Sequence, residues 1–276
     1  IYLFGSFIQS SDFDPSINSY ILTANVIKDL FISKLNSLGE FVWAKQFKFE
    51  GNSFKSGKSL IVDENENVYT TGQFKGIGDF DPGISVYSMN SPNLVTSFIS
   101  KLDSFGNFLW AKQFEGTDEN FAQYINLDNN NNVYTIGSFV GTIDLNPGAS
   151  ILNFISSGFT DIFISKLNTN GDFIWAKRIG GLNYDYAVDI IIDATQKIYI
   201  SGQFFGTTDF DPSSNTYNLI SNGYGDAYVL KLGQPILGLE HNSISNSLNF
   251  FPNPTNDFVN ISLNENVDSI DVRVLN

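Results

Sequence analysis

Four short segments repeat a pair of oxygen-bearing side chains two residues apart: Asp12-Phe-Asp14-Pro, Asp79-Phe-Asp81-Pro, Asp144-Leu-Asn146-Pro and Asp209-Phe-Asp211-Pro. Two oxygen-bearing side chains two residues apart can point the same way, and with loop carbonyls such hard ligands could hold Ca²⁺. Asp29, Asp161 and Asp226, each just before a later strand, could add another oxygen, but Thr96 takes that place in the second copy. The competing reading is structural. The first carboxylate accepts backbone N–H bonds, Pro fixes the turn and the intervening Phe enters an interface between units. This turn reading is preferred. Paired carboxylates at suitable separation also hydrolyse glycosides, yet these pairs recur in every copy, whereas catalysis needs one asymmetric site.

Other chemistries find little support. His241 is the single histidine and cysteine is absent, so histidine-centred triads, multi-His metal sites, thiolate ligands and a disulfide framework have no basis. Gly76-Ile-Gly78 lacks the strand–turn–helix context of a phosphate cradle and reads as turn geometry.

The elements that must position these residues follow from a repeat. Trp-Ala-Lys occurs at Trp43, Trp110 and Trp175, at intervals of 67 and 65 residues. Gly5, Gly72, Gly137 and Gly202 keep the same beat, as do the four Asp turns. Internal repeats fix architecture first, because each unit must bury its apolar faces against its neighbours. Aligned copies give four strand-like segments per unit. Strand A is Ser59 to Asp63, with equivalents Tyr124 to Asp128 and Asp189 to Asp193; strand B is Val68 to Phe74. A long loop carrying the Asp turn leads to strand C, Phe98 to Leu102, apolar on both faces as a strand between two layers should be. A Gly-containing reversal then starts strand D, Phe108 to Phe114.

Four antiparallel strands in about 65 residues without helices is the arithmetic of a β-propeller blade. The expected fold is therefore all-β, an incomplete ring of about four blades at residues 1–47, 55–114, 120–179 and 185–233. Trp43, Trp110 and Trp175 are read as packing residues between blades. Lys45, Lys112 and Lys177 are read as charges on an outer blade edge that discourage edge-to-edge association. The first copy holds strands B, C and D and the last A, B and C, so the sequence reads as a piece cut from a larger ring.

Charge narrows the partners. The formal net charge is −14, which argues against a phosphate-binding surface and so against nucleic acid. No apolar run approaches the ~20 residues of a membrane span. The acidic surface suits solubility outside the cell better than cation binding.

Asp128-Asn-Asn-Asn-Asn-Val-Tyr-Thr-Ile-Gly137, followed by Asp161-Ile-Phe-Ile-Ser-Lys-Leu-Asn-Thr-Asn-Gly171 and Trp175, resembles the bacterial SBBP β-propeller repeat. The resemblance covers residues 1–233 and implies a secreted or surface protein. Residues 234–247 read as a linker rich in Ser and Asn. Beyond it, Phe250-Phe-Pro-Asn-Pro-Thr-Asn-Asp-Phe-Val-Asn-Ile-Ser-Leu263 resembles the start of the C-terminal sorting domain of the type IX secretion system, a small β-sandwich, here partial at 248–276. That resemblance implies export by the type IX machinery of a Gram-negative bacterium and residence outside the cell or on its surface. Asp268-Ser269-Ile270 is similar to the short O-glycan acceptor pattern of such bacteria. The functional expectation is a non-catalytic binding or adhesion module for a glycan or protein, with a polysaccharide-acting enzyme or a structural spacer as alternatives.

Overall fold

A computed structural model describes residues 1–51 and 54–233, and the backbone of three further strands at Leu248–Phe250, Val259–Leu263 and Ile270–Val272. Among the described residues every regular element is a strand, and the repeats of the sequence are repeats of structure. The first contains β1 (Tyr2–Asp12), β2 (Ile21–Leu35) and β3 (Phe41–Phe49). The second contains β4 (Lys55–Val62), β5 (Val68–Asp79), β6 (Ser88–Leu102) and β7 (Phe108–Gln113). The third runs through β8 (Glu115–Gly116), β9 (Asn120–Leu127), β10 (Val133–Phe139), β11 (Thr142–Asp144), β12 (Asn153–Ile155), β13 (Asp161–Leu167) and β14 (Phe173–Gly181). The fourth holds β15 (Asp185–Ile192), β16 (Ile198–Phe204), β17 (Thr207–Asp209), β18 (Asn218–Ile220) and β19 (Asp226–Leu232).

Within a repeat the strands pair antiparallel in chain order, as β4-β5-β6-β7 and β9-β10-β13-β14 show. The sheets are open. β20 (Leu248–Phe250), β21 (Val259–Leu263) and β22 (Ile270–Val272) form a separate antiparallel ladder. The proposed linker with His241, and the Asp268-Ser269 pair, lie outside the described residues. No helix among the described residues is long and apolar enough to cross a membrane.

Three differences from the sequence reading have physical reasons. Strand A starts about four residues earlier than expected, at Lys55, Asn120 and Asp185, because polar residues at its start enter buried hydrogen bonds with the preceding repeat. The long loop between B and C is itself a hairpin: β11 pairs β12, β17 pairs β18, and in the second repeat β5 and β6 continue together past a register shift at Phe74/Gly76. Strand D is not a free outer edge throughout. Its last residues pair with the next repeat's hairpin, Lys48 and Phe49 with Asp79 and Gly78, Gly180 and Gly181 with Asp209 and Thr208. The stems of Lys45 and Lys112 lie close to the next repeat's turn glycines, Gly106 and Gly171.

The core sits at the junctions. Leu30, Ile32, Phe47 and Phe49 of the first repeat pack with Phe74, Phe80 and Phe98 of the second. Tyr69, Ile99 and Phe114 of the second pack with Ile125, Phe139 and Phe163 of the third, and Ile136, Ile162 and Ile164 of the third with Ile190, Phe204 and Phe210 of the fourth. Alternate residues of one strand therefore serve two cores, Phe98 and Leu102 on one side of β6 and Ile99 on the other, which is why both faces of strand C are apolar. The recurrent glycine of strand B has a steric cause. A Cβ on Gly137 would stand 2.1 Å from the Phe121 carbonyl oxygen and 2.7 Å from the Phe163 ring. It faces the bulge where the A–B register shifts, between Ile136 and Gly137.

Candidate functional site

At the tip of each B–C hairpin the Asp turn has one geometry. Oδ1 of Asp79 accepts the backbone N–H of Asp81 at 3.0 Å and of Tyr87 at 2.9 Å, while Asp81 Oδ1 accepts Gly83 N–H at 2.8 Å. Asp144 with Asn146, Asp209 with Asp211, and Asp12 with Asp14 repeat the pattern. The first carboxylate thus closes the hairpin and the second closes the turn within it, two nested side-chain-to-backbone turns. At Asp12 the N–H groups of Tyr20 and Asp14 hold the carboxyl below its ordinary value. The intervening Phe80, Leu145 and Phe210 are buried in the junction cores. Asp29 and Asp161 are fully buried one strand away, with hydrogen-bond partners of their own, and Asp226 accepts Asn222 N–H. Among the described residues no three His, Asp or Glu side chains gather closely enough to hold a metal ion.

A second recurrent device lies at the opposite end of the strands and joins the repeats. Trp43 Nε1 donates to the Ser104 carbonyl and Trp110 Nε1 to the Thr169 carbonyl, both at 3.1 Å and both across a junction. The strand-C lysine reaches the same carbonyls, Lys101 Nζ to Thr169 O at 3.1 Å. That lysine also sits over the strand-B tyrosine, Lys101 over Tyr69 and Lys166 over Tyr134, each 4.8 Å from the ring centroid. The tyrosine hydroxyl donates to the aspartate that begins the A–B turn, Tyr134 to Asp128 at 3.1 Å. Burial pushes the Asp128 carboxyl up, but the Asn132 side chain and N–H, Lys166 and the Asn130 N–H together hold it below its ordinary value. Lysine and tyrosine were missed as a unit from sequence; their fixed spacing in each copy, Tyr69 to Lys101 and Tyr134 to Lys166, was the available signal.

The junctions differ where strand A begins. At the first, Asp29 accepts N–H groups from Asn25, Phe49 and the Gln46 side chain, and burial pushes the Lys55 ammonium below its ordinary value, the Asp29 charge offsetting part of that. At the second, Asn120 Nδ2 donates to Thr96 Oγ1 at 3.2 Å. At the third, two carboxylates meet. Asp161 is bonded by Arg178 and by Ser157 N–H, leaving its Oδ1 without a partner. Asp185 accepts Thr208 Oγ1 at 2.6 Å and Gly181 N–H at 2.7 Å. Burial pushes the Asp185 carboxyl up to about 6, with the Asp161 charge adding to the rise against the Thr208 and Gly181 donors. A raised carboxyl pKa marks many acid catalysts, but both groups are 0% exposed and out of reach of a polymeric substrate.

Surface concavity is concentrated elsewhere. A cleft of about 520 Å³ opens between the second and third repeats. Tyr87 and Asn90 form one wall, the turn Asp144 to Ile151 the other, and Lys112 and Gln113 of β7 line its base. A smaller cleft of about 270 Å³ adjoins it, sharing Asn90, Gln113 and Glu115. Gln113 donates its Nε2 to Asn90 O at 3.3 Å, and its buried Oε1 has no partner. Of the sequence-predicted oxygen ligands, Asp144 and Asn146 line this cleft; the other turns stand apart, each on its own repeat.

No protein-family model matches the chain. An uncharacterised WD repeat-containing protein of Acanthamoeba polyphaga mimivirus is 24% identical over 207 residues, covering 66% of this chain and 14% of that protein. The regulatory protein FlaEY of Caulobacter vibrioides is 29% identical over 117 residues, 41% of this chain and 12% of its own length. The chain therefore spans only a small part of each curated relative, and the similarity is a weak one to WD-repeat sequence, on an all-β architecture.

Proposed function

We propose that this chain is part of a β-propeller in which each four-stranded repeat is a blade, and that it acts as a non-catalytic binding module. The WD repeat-containing relative and the four-strand repeat with its core at each junction support the propeller reading. The blade boundaries 1–47, 55–114, 120–179 and 185–233 remain part of that proposal. The observation that carries the binding role is the cleft of about 520 Å³ between the second and third repeats. Its size falls in the range of small-ligand sites, and amide, hydroxyl and charged groups converge there with Tyr87, Pro147 and Ile151.

Glycans and extracellular proteins are the ligands proposed. Secretion by the type IX route, with the segment 248–276 as a partial sorting domain and the cell surface or medium as destination, rests on the SBBP-like repeat and the Phe250 to Leu263 sequence. The test is binding of the chain to glycan and protein arrays, beside a Lys112→Ala plus Glu115→Ala variant. Retained stability with lost binding supports the cleft. Equal binding by both proteins removes the cleft from the reading, and no binding at all leaves the spacer as the better account.

A further inference from the structure

We infer that the junction of the third and fourth repeats carries a second recognition site, an aromatic platform for the apolar face of an uncharged pyranose sugar. Phe159 and Tyr184 are stacked with centroids 4.7 Å apart and planes 11° apart, and Tyr184 continues to Tyr186 at 6.1 Å and 12°. At these separations parallel rings are offset rather than eclipsed, so part of each face is uncovered. The three residues are 57%, 43% and 36% exposed. Phe205 meets Tyr184 and Tyr186 edge-on, at 6.4 and 6.5 Å, and braces them.

The platform is held in place before any ligand arrives. Tyr184, the residue before β15, and Tyr186 within it are two apart, so the extended segment presents both on one side, and a parallel bridge between Thr160 and Tyr184 fixes Phe159 beside them. Asp185 N–H donates to Thr160 O at 3.0 Å between the tyrosines. Behind Phe205, a Cβ on Gly225 would lie 2.7 Å from the ring, so only glycine lets that loop approach so closely. Ordered rings cost little entropy on binding.

Packing of repeats does not require these rings. The equivalent positions at the preceding junction are Leu94, Glu119, Phe121 and Val140, and at the first Ile27, Phe54, Ser56 and Lys75. The aromatic set therefore occurs once, as a ligand site does and a stacking device does not. Charge selects the occupant. The chain carries −14, and the neighbouring cation, Arg178, is engaged by Asp161. A nucleic-acid base would stack on the rings, but its phosphates would meet an acidic surface. A neutral sugar combines an apolar C–H face with hydroxyls and no charge, and the exposed Tyr184 and Tyr186 supply polar handles beside the rings.

The platform lies one junction away from the cleft and does not depend on it. The test is calorimetric titration of the 276-residue chain with cellohexaose, xylohexaose, laminarihexaose and mannohexaose. Binding of at least one, weakened about tenfold or more by Phe159→Ala plus Tyr184→Ala and retained in Tyr184→Phe, is the expected result. The Tyr184→Phe protein keeps the stacked rings, and a urea unfolding curve of the double variant like that of the parent excludes a loss caused by misfolding. No heat with any hexasaccharide, or equal binding in the double variant, overturns the site. Loss only in the Lys112→Ala plus Glu115→Ala variant overturns it too, while leaving the binding-module reading intact. Self-association of the chain that disappears in the double variant assigns the rings to an interface between copies and also overturns it.

Discussion

Replacing Asp185 by Asn should make the protein more stable at neutral pH and flatten its pH dependence. Asp185 is fully buried, and burial together with the Asp161 charge pushes its carboxyl up to about 6, against an ordinary value of 3.8. The folded state therefore binds the proton more tightly than the unfolded chain. Stability from this group is complete below the unfolded value and is lost as pH rises from about 4 through about 6. At about 1.4 kcal/mol per unit of pKa, ionised Asp185 costs the folded state about 3 kcal/mol at pH 7. Asn removes that cost but has one acceptor oxygen for the Thr208 and Gly181 donors, a loss of about 1–1.5 kcal/mol. The net gain is on the order of 1–2 kcal/mol at pH 7. Asn120 already occupies the equivalent position at the preceding junction, where its amide serves as both donor and acceptor, so the side chain fits this environment.

The pH window separates this junction from the other carboxylates: burial raises the Asp161 carboxyl too, against its Ser157 N–H and Arg178 partners, so the difference between parent and variant, rather than the parent's slope alone, reports Asp185. Asp12, Asp103, Asp128 and Asp193 are held below the ordinary value, so their contributions are present above 3.8 and fade only below it. Urea unfolding of parent and variant at about pH 4.5 and about pH 7.5 reads the difference directly. Repeat arrays can unfold in parts, so hydrogen exchange at Ile190 and Ile200, in the core of that junction, should follow the same trend. A parent protein equally stable at both pH values, or a variant less stable at neutral pH, would refute the argument from burial and like charge.

Trp110→Phe keeps the ring but loses the donor to Thr169 O, and a loss of about 0.5–1.5 kcal/mol is expected in urea unfolding; no change would mean the bond is solvent-compensated. Asp79→Ala removes one acceptor from two N–H groups and should lower stability by about 1–2 kcal/mol whether or not millimolar Ca²⁺ is present. A calcium-specific rise in melting temperature of the parent, absent from the variant, would make the loop a metal site instead. Gly137→Ala must move the Phe121 carbonyl or the Phe163 ring, a cost of about 3 kcal/mol or more; a melting temperature equal to that of the parent would show that the bulge is soft.

The all-β repeat was legible in sequence because its causes repeat. A glycine forced by a bulge, an Asp forced by a hairpin tip and an apolar strand shared by two cores recur wherever the unit recurs, so spacing alone exposed them. What stayed hidden was contact between units. Strand D's hand-over to the next hairpin and the convergence of Trp110 and Lys101 on Thr169 O are set by how one repeat sits on another. The cleft was hidden for the same reason, since Gln113 and Asp144 are brought together from different repeats. The Asp turns drew attention as ligands because carboxylates two residues apart serve equally well to bind backbone N–H groups, and sequence does not say which donors are near.

Averaging the copies also erased the informative positions. The start of strand A is Lys55, Asn120 or Asp185, and its partner before strand C is Asp29, Thr96 or Asp161. Read down the repeat these look like drift; read across each junction they are pairs. The Asp29 charge offsets part of the burial cost of Lys55, and Asn120 bonds Thr96. Asp185 against Asp161 breaks that logic: burial raises both carboxyls, that of Asp161 even against Arg178. The aromatic platform adjoins this least satisfied junction, Tyr184 and Tyr186 being the neighbours of Asp185 in the chain. A site that sacrifices packing or polar satisfaction is where a repeat departs from what stability alone would select. The third junction is therefore the first place to look for function, and Asp185→Asn tests half of that statement: stability should rise while sugar binding by the rings above it persists.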